Sequence, residues 1–161
     1  MTEEAFVNVV QRNSQRLYLI ALSFVKNTYD AEDILQNVFI KLWKYPKPFS
    51  DEMHLDKWLT VVCVNESKNY LKHPFRQHDN AESFVFVHSD DMDSAAKADL
   101  YNAVMQLPKK ERAVIHLFYY EDLSVKDIAG MLKMKESAVK TRLNRARNKL
   151  KERLGDAWIN E

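Results

Sequence analysis

Two glycines in 161 residues, Gly130 and Gly155, constrain this chain more than any other feature. Tight hairpin turns draw on glycine for backbone with positive φ, so a sheet-rich fold has almost nothing to turn with. Apolar residues make up 46% of the chain, enough to bury a core. The expectation is an all-α protein.

Helical periodicity places N-terminal helices at about 3–12, 14–26, 31–45 and 55–72. Asp30 is expected to cap the third, with Asp33 at the box position. Pro46 and Pro48 break the pattern after it, and Pro74 ends the fourth. Further helices are expected at about 94–106, 109–120, 125–132 and 136–154. Pro108 suits a first helical turn, and Ser124 with Asp127 forms a capping box. Between the two sets lies "HPFRQHDNAESFVFVHSDDMDS", His73 to Ser94, polar and acidic apart from Phe84 to Val87, which reads as a short strand or a docking segment. The organisation is therefore two small helical domains: a four-helix unit over 1–73 and a second unit over 95–161, joined by an acidic linker at 74–94. A single bundle with one long loop is the alternative, and a structureless loop of that length is unusual inside a compact domain.

Charge and cysteine content exclude several function classes. Cys63 is the single cysteine and sits in the apolar run "WLTVVCVN", which reads as a buried thiol. No internal disulfide and no CxxC metal spacing is possible. The five histidines, His54, His73, His78, His88 and His116, show no HExxH pattern, and no glycine-rich phosphate loop exists, so no cofactor, metal site or catalytic centre is expected. Glu3 and Glu4 stand where a signal peptide would be positive, and no apolar run is long enough to span a bilayer. A cytoplasmic location is expected.

The net charge of +1 conceals a gradient. Residues 1–75 balance nine Lys/Arg against nine Asp/Glu, whereas 76–94 hold only Arg76 against five acids. Lys133 to Arg153 carries nine basic residues against Glu136 and Glu152. That asymmetry points to a polyanion partner for the C-terminal part; a solvated basic helix is the plainer alternative.

The last two helices are separated only by "KMK", short enough for a helix-turn-helix. On the second, Val139, Leu143, Ala146, Leu150 and Leu154 share one face, opposite a strip of Ser137, Thr141, Asn144 and Asn148. Lys140, Arg147 and Lys151 flank that strip on one side; Arg142, Arg145 and Lys149 flank it on the other. A major-groove helix needs hydrogen-bonding groups facing base edges and cations reaching both phosphate walls. Since only the first turns of such a helix reach bases, Ser137, Lys140, Thr141, Asn144 and Arg145 are expected at bases or groove, and Arg142 and Arg147 at phosphates. RNA or another acidic surface is the rival ligand.

The stretch "DAEDILQNVFIKLW", Asp30 to Trp43, poses a separate question. Ile34, Leu35, Val38, Phe39 and Leu42 complete one apolar stripe, yet Ile40 points away from it among Asp33, Gln36, Asn37 and Lys44. Ile40 is either a lone surface isoleucine, which is common, or an anchor for a partner.

The segments "AEDILQNVFIKLW", "WLTVVCVNESKNYLK", "LPKKERAVIHLFYYEDLS" and "DIAGMLKMKESAVKTRLNRARNKL" occur in the order and spacing of an extracytoplasmic-function (ECF) bacterial RNA polymerase sigma factor, which the chain resembles along nearly its whole length outside the linker. The resemblance implies a dissociable specificity subunit without an active site. Its first domain would be sigma region two, which grips the polymerase clamp and opens the minus-ten element; its second would be region four, which reads the minus-thirty-five element and sits on the flap. It implies as partners core RNA polymerase, through clamp coiled coil and flap, promoter DNA, and an anti-sigma factor. Asp33, Gln36, Asn37 and Ile40 would then face the clamp coiled coil. Asn65, Lys68, Asn69 and Lys72 would meet the separated non-template strand. The loop Phe49–Asp56 stands where this family captures an unstacked base. Trp58 reads as a core anchor in preference to a stacking platform, although single-strand binders do stack bases on aromatics.

The chain departs from the family pattern at several positions. Val61 and Val64 replace arginines often found after the tryptophan, Lys133 replaces the turn glycine, Gly130 lies inside a helix, and Lys135 replaces a serine cap. A free-standing helix-turn-helix regulator is the functional alternative; such regulators usually dimerise on palindromes, and no clear dimer stripe is visible.

Overall fold

A computed structural model describes residues 1–73 and 94–155. Phe84 to Val87, the acidic linker with Asp90, Asp91 and Asp93, and Trp158 lie outside the described residues. Among the described residues there are seven helices and no strand: α1 (Glu3–Val25), α2 (Thr28–Lys44), α3 (Glu52–Leu71), α4 (Ala95–Met105), α5 (Lys109–Tyr119), α6 (Val125–Leu132) and α7 (Glu136–Leu154). They fall into two compact units, α1–α3 and α4–α7.

In the first unit each helix packs on the other two. Leu17 and Ile20 of α1, Ile34 and Leu42 of α2 and Leu59 of α3 are fully buried. Removing side chains of that size from water is what holds three helices together, at about 1.5–3 kcal/mol each. The stripe expected on Ile34, Val38, Phe39 and Leu42 is buried, and Leu35 is half-buried. Cys63 is buried too, its Sγ donating to the Leu17 carbonyl at 3.4 Å.

The expected break near residue 13 does not exist: α1 runs unbroken, so the first unit has three helices where four were expected. Gln11 to Ser14 resembled a connector because it is polar. Instead Asn13 is buried and donates to the Val9 carbonyl at 3.0 Å, and Ser14 bonds back to Val10. Arg12 reaches α3, with Nη1 2.9 Å from Glu52 Oε1 and Nη2 3.4 Å from Asp56 Oδ1. Arg16 donates to Thr60 Oγ1 at 2.7 Å. The polar run is a seam between helices.

The cap of α2 also differs from expectation. Asn27, with extended backbone, caps the helix by accepting from the Asp30 N–H at 3.0 Å. Asp30 sits inside the first turn and is fully buried. A left-handed Lys26 (φ +48°) ends α1 immediately before this cap. Helix α3 starts three residues earlier than expected, since Asp51 accepts from the His54 N–H at 2.7 Å.

The second unit matches its expected boundaries within one or two residues. Ser94 caps α4 by accepting from Lys97 N–H, and Ser124 caps α6 by accepting from Asp127 N–H. Pro108 occupies the cap position of α5 without a side-chain bond. Helix α7 packs on α4, α5 and α6 alike. Its Val139, Leu143, Ala146 and Leu150 are buried, and Leu154 is half-buried. Between α6 and α7 the chain turns at Lys133, held left-handed at φ +55°, with the Met134 N–H bonding to the Ala129 carbonyl at 2.9 Å.

Candidate nucleic-acid and partner interfaces

Burial of one side of α7 dictates what its other side presents. Ser137, Lys140, Thr141, Asn144 and Arg145 are exposed, and Arg142 is half-buried. Thr141 Oγ1 donates to the Ser137 carbonyl at 3.0 Å, which fixes its rotamer. No side chain caps the start of this helix at Lys135, so its first amides are free of a serine-type cap.

Two of the cations that look equivalent on a helical wheel are engaged within the protein. Lys149 Nζ lies 3.0 Å from both carboxylate oxygens of Glu111 on α5, and Glu111 is buried. Arg147 Nε donates to Tyr119 Oη at 3.0 Å, with its guanidinium 5.4 Å from the Phe118 ring centre and 5.7 Å from that of Tyr119. Arg147, expected at a phosphate, is thus folded against the end of α5. Sequence spacing does not separate these two cations from Lys140, Arg142 and Arg145, because their partners lie about thirty residues or more upstream.

On α2, Asp33, Gln36 and Ile40 are exposed and Asn37 is half-buried. Ile40 keeps 44% of its surface in water, and two further apolar side chains stand beside it: Trp43 at 52% and Val7 of α1 at 44%. With Phe6, Val10, Gln36 and Phe39 they line an open groove between α1 and α2. Phe6 packs edge-on against Trp43, centroids 5.0 Å apart. Val7 and Trp43 escaped the sequence reading; Trp43, three residues beyond Ile40 on the same side of the helix, was detectable from spacing alone.

On α3, Asn65, Asn69 and Lys72 are exposed and Lys68 is half-buried. Trp58 is half-buried, with Tyr45 at 4.9 Å and Phe49 at 5.5 Å between ring centres. Phe49 also stacks on Tyr45 and meets His54 edge-on. Trp58 therefore anchors the α2–α3 loop to its helix. Among the described residues no group of three or more His, Cys, Asp or Glu side chains is placed to hold a metal ion, and no helix is long and apolar enough to cross a membrane.

Two compact helical units, one ending in a helix-turn-helix whose second helix presents cations and amides outward, define a helix-turn-helix protein built to bind DNA. Residues 9–74 match the family described as sigma-70 region 2, and residues 97–150 match that described as sigma-70, region 4. The chain belongs to the ECF group of bacterial RNA polymerase sigma factors. It is 29% identical to the RNA polymerase sigma factor SigV of Bacillus subtilis, over 90% of this chain and 88% of that one. It is 26% identical to the ECF sigma factor SigW of the same organism, over 96% and 91%. The fold is shared with the sigma factor RpoE solved in complex with the anti-sigma factor NepR from Bartonella quintana, at TM-score 0.69 and 24% identity, covering 92% of this chain and 96% of that one.

Proposed function

We propose that this chain is a dissociable sigma subunit that binds core RNA polymerase and directs initiation at a defined set of promoters, with no active site of its own. The observation that carries the reading is the presence of both sigma regions in order on one chain, each folded as its own helical unit. A free-standing regulator has no use for the first.

Within that role, residues 1–73 grip the clamp and open the minus-ten element, and residues 95–161 read the minus-thirty-five element and rest on the flap. Asp33, Gln36, Asn37 and Ile40 form the polymerase face of α2; the exposed amides and apolar anchor are the mixture that partner surfaces favour. Asn65, Lys68, Asn69 and Lys72 follow the separated strand. Ser137, Lys140, Thr141, Asn144 and Arg145 enter the duplex, with Arg142 on a phosphate. Arg147, on the reading helix, ties that helix to α5 and adds positive field beside the phosphates. An anti-sigma factor, of the kind seen on the Bartonella protein, holds the chain inactive. The working place is the cytoplasm, where polymerase is.

Run-off transcription with core polymerase from the same organism on genomic fragments tests the proposal. The expected result is discrete transcripts that require this protein; its failure to add any start site to those of core alone would refute it.

A further inference from the structure

We propose that Tyr70 is a positioning residue: its phenol holds the Asp33 carboxylate in place for a donor on the bound polymerase, and ties that contact to α3. The inference rests on the reading of Asp33 as part of the polymerase face.

Tyr70 is buried near the end of α3, and its Oη lies 2.9 Å from Asp30 Oδ1 and 3.1 Å from Asp33 Oδ2 on α2. The two carboxylates differ in freedom. Asp30 is fully buried and cannot turn to water, whereas Asp33 is exposed and can. An exposed aspartate with no partner samples several rotamers, and a contact that fixes one of them loses that freedom on binding. With Oδ2 held by the phenol, Asp33 is already in one rotamer and turns its other oxygen to the partner. Burial first, and then the hydrogen bond to Asp30, push the Tyr70 phenol well above its ordinary range, so it remains a donor throughout working conditions.

A phenol carries one proton and two carboxylates stand around it. The proton is shared between them, so the buried acid keeps α3 fastened to α2 while Asp33 keeps its held rotamer and meets the partner through its other oxygen. Tyr70 follows Asn69 and precedes Lys72 on α3. The same hydroxyl therefore joins the polymerase face to the helix assigned to the open strand.

The test is a double-mutant cycle on affinity for purified core polymerase, using Tyr70→Phe, Asp33→Asn and the pair. Asp33→Asn is expected to weaken binding about fivefold. Tyr70→Phe is expected to weaken it about threefold in the parent chain and not at all in the Asp33→Asn background, which is the size of the rotamer freedom that an unheld side chain loses on binding. Fully additive losses would overturn the positioning role while leaving the polymerase face intact. Asp33→Asn without effect would remove Asp33 from that face, and this inference with it. Asp33→Glu gives a second arm that leaves Tyr70 and Asp30 untouched. It keeps the charge but carries the carboxylate one methylene past the phenol, and is expected to bind as weakly as Asp33→Asn; binding at parental strength would overturn the proposal even where Tyr70→Phe does not fold.

Discussion

Lys149 on α7 closes onto Glu111 on α5 with Nζ 3.0 Å from each carboxylate oxygen. The acid is buried while the lysine stem is about half in water. The pair is therefore asymmetric in what its loss costs. Lys149→Met leaves a buried carboxylate without its cation and is expected to destabilise by about 1–3 kcal/mol. Glu111→Gln leaves the lysine free to turn to solvent and should cost less. Urea titrations of the two variants check the order; equal costs would mean that the buried carboxylate is satisfied elsewhere.

His116 sets a pH dependence. Its ring is buried, stacked on Tyr120 at 5.0 Å, and its Nδ1 has no hydrogen-bond partner among the described residues. Burial lowers its pKa from 6.5 to about 4. Between those values the unfolded chain takes up a proton that the folded chain refuses, so stability is full above pH 6.5 and falls as the pH drops towards 4. From pH 7 to pH 5 the loss attributable to this ring is about 2 kcal/mol. His116→Leu should flatten that part of the profile, as read by denaturant midpoints at the two pH values.

Helix α6 and the turn that follows it each contain one correctable position. Lys133 adopts φ +55°, where a side chain costs about 1 kcal/mol relative to glycine. Gly130 is exposed in the middle of α6, and a methyl group there would meet nothing within 4 Å. Lys133→Gly and Gly130→Ala are each expected to raise stability by roughly 0.5–1 kcal/mol. Thermal melts check both; a destabilised Gly130→Ala would show that α6 needs its flexibility.

Arg145 and Arg147 should separate in DNA binding. Arg145→Ala is expected to cost about 1–3 kcal/mol and to do so most at the cognate element. Arg147→Ala removes a prop from α5, so it should lower protein stability as well, and Tyr119→Phe should reproduce part of that loss. Binding isotherms at several salt concentrations distinguish the cases, because a lost phosphate contact lowers affinity for all sequences and shallows the salt slope.

Ile40→Glu is expected to abolish association with core polymerase while leaving the fold in place, since almost half of the side chain is already in water. Val7→Glu, across the same groove, should weaken it too. Co-purification with core and a circular dichroism melt read the two effects; retained binding by Ile40→Glu would argue strongly against this face.

How much of this was legible depended on where each residue's partner lies. The second unit was, because Ser94, Pro108, Ser124 and the "KMK" turn punctuate it locally and the buried face of α7 repeats without a fault. The first helix was misdivided because Arg12 and Arg16 find their partners on α3, some forty residues away. The α2 cap was misplaced for the same reason: Asp30 and Asn27 are both good cap types, and Asp30 is turned inward, where it accepts from Tyr70 forty residues away. Charge on α7 was visible, but not that Glu111 and Tyr119 occupy two of its cations.

The way α7 is clasped by three neighbours divides its residues by what they can tolerate. Positions 139, 143, 146 and 150 hold the unit together and admit few substitutions, whereas 137, 140, 141, 144 and 145 are exposed and add nothing to the buried core. Promoter preference can therefore drift, or be reprogrammed by randomising those five sites, on a backbone that does not move in response.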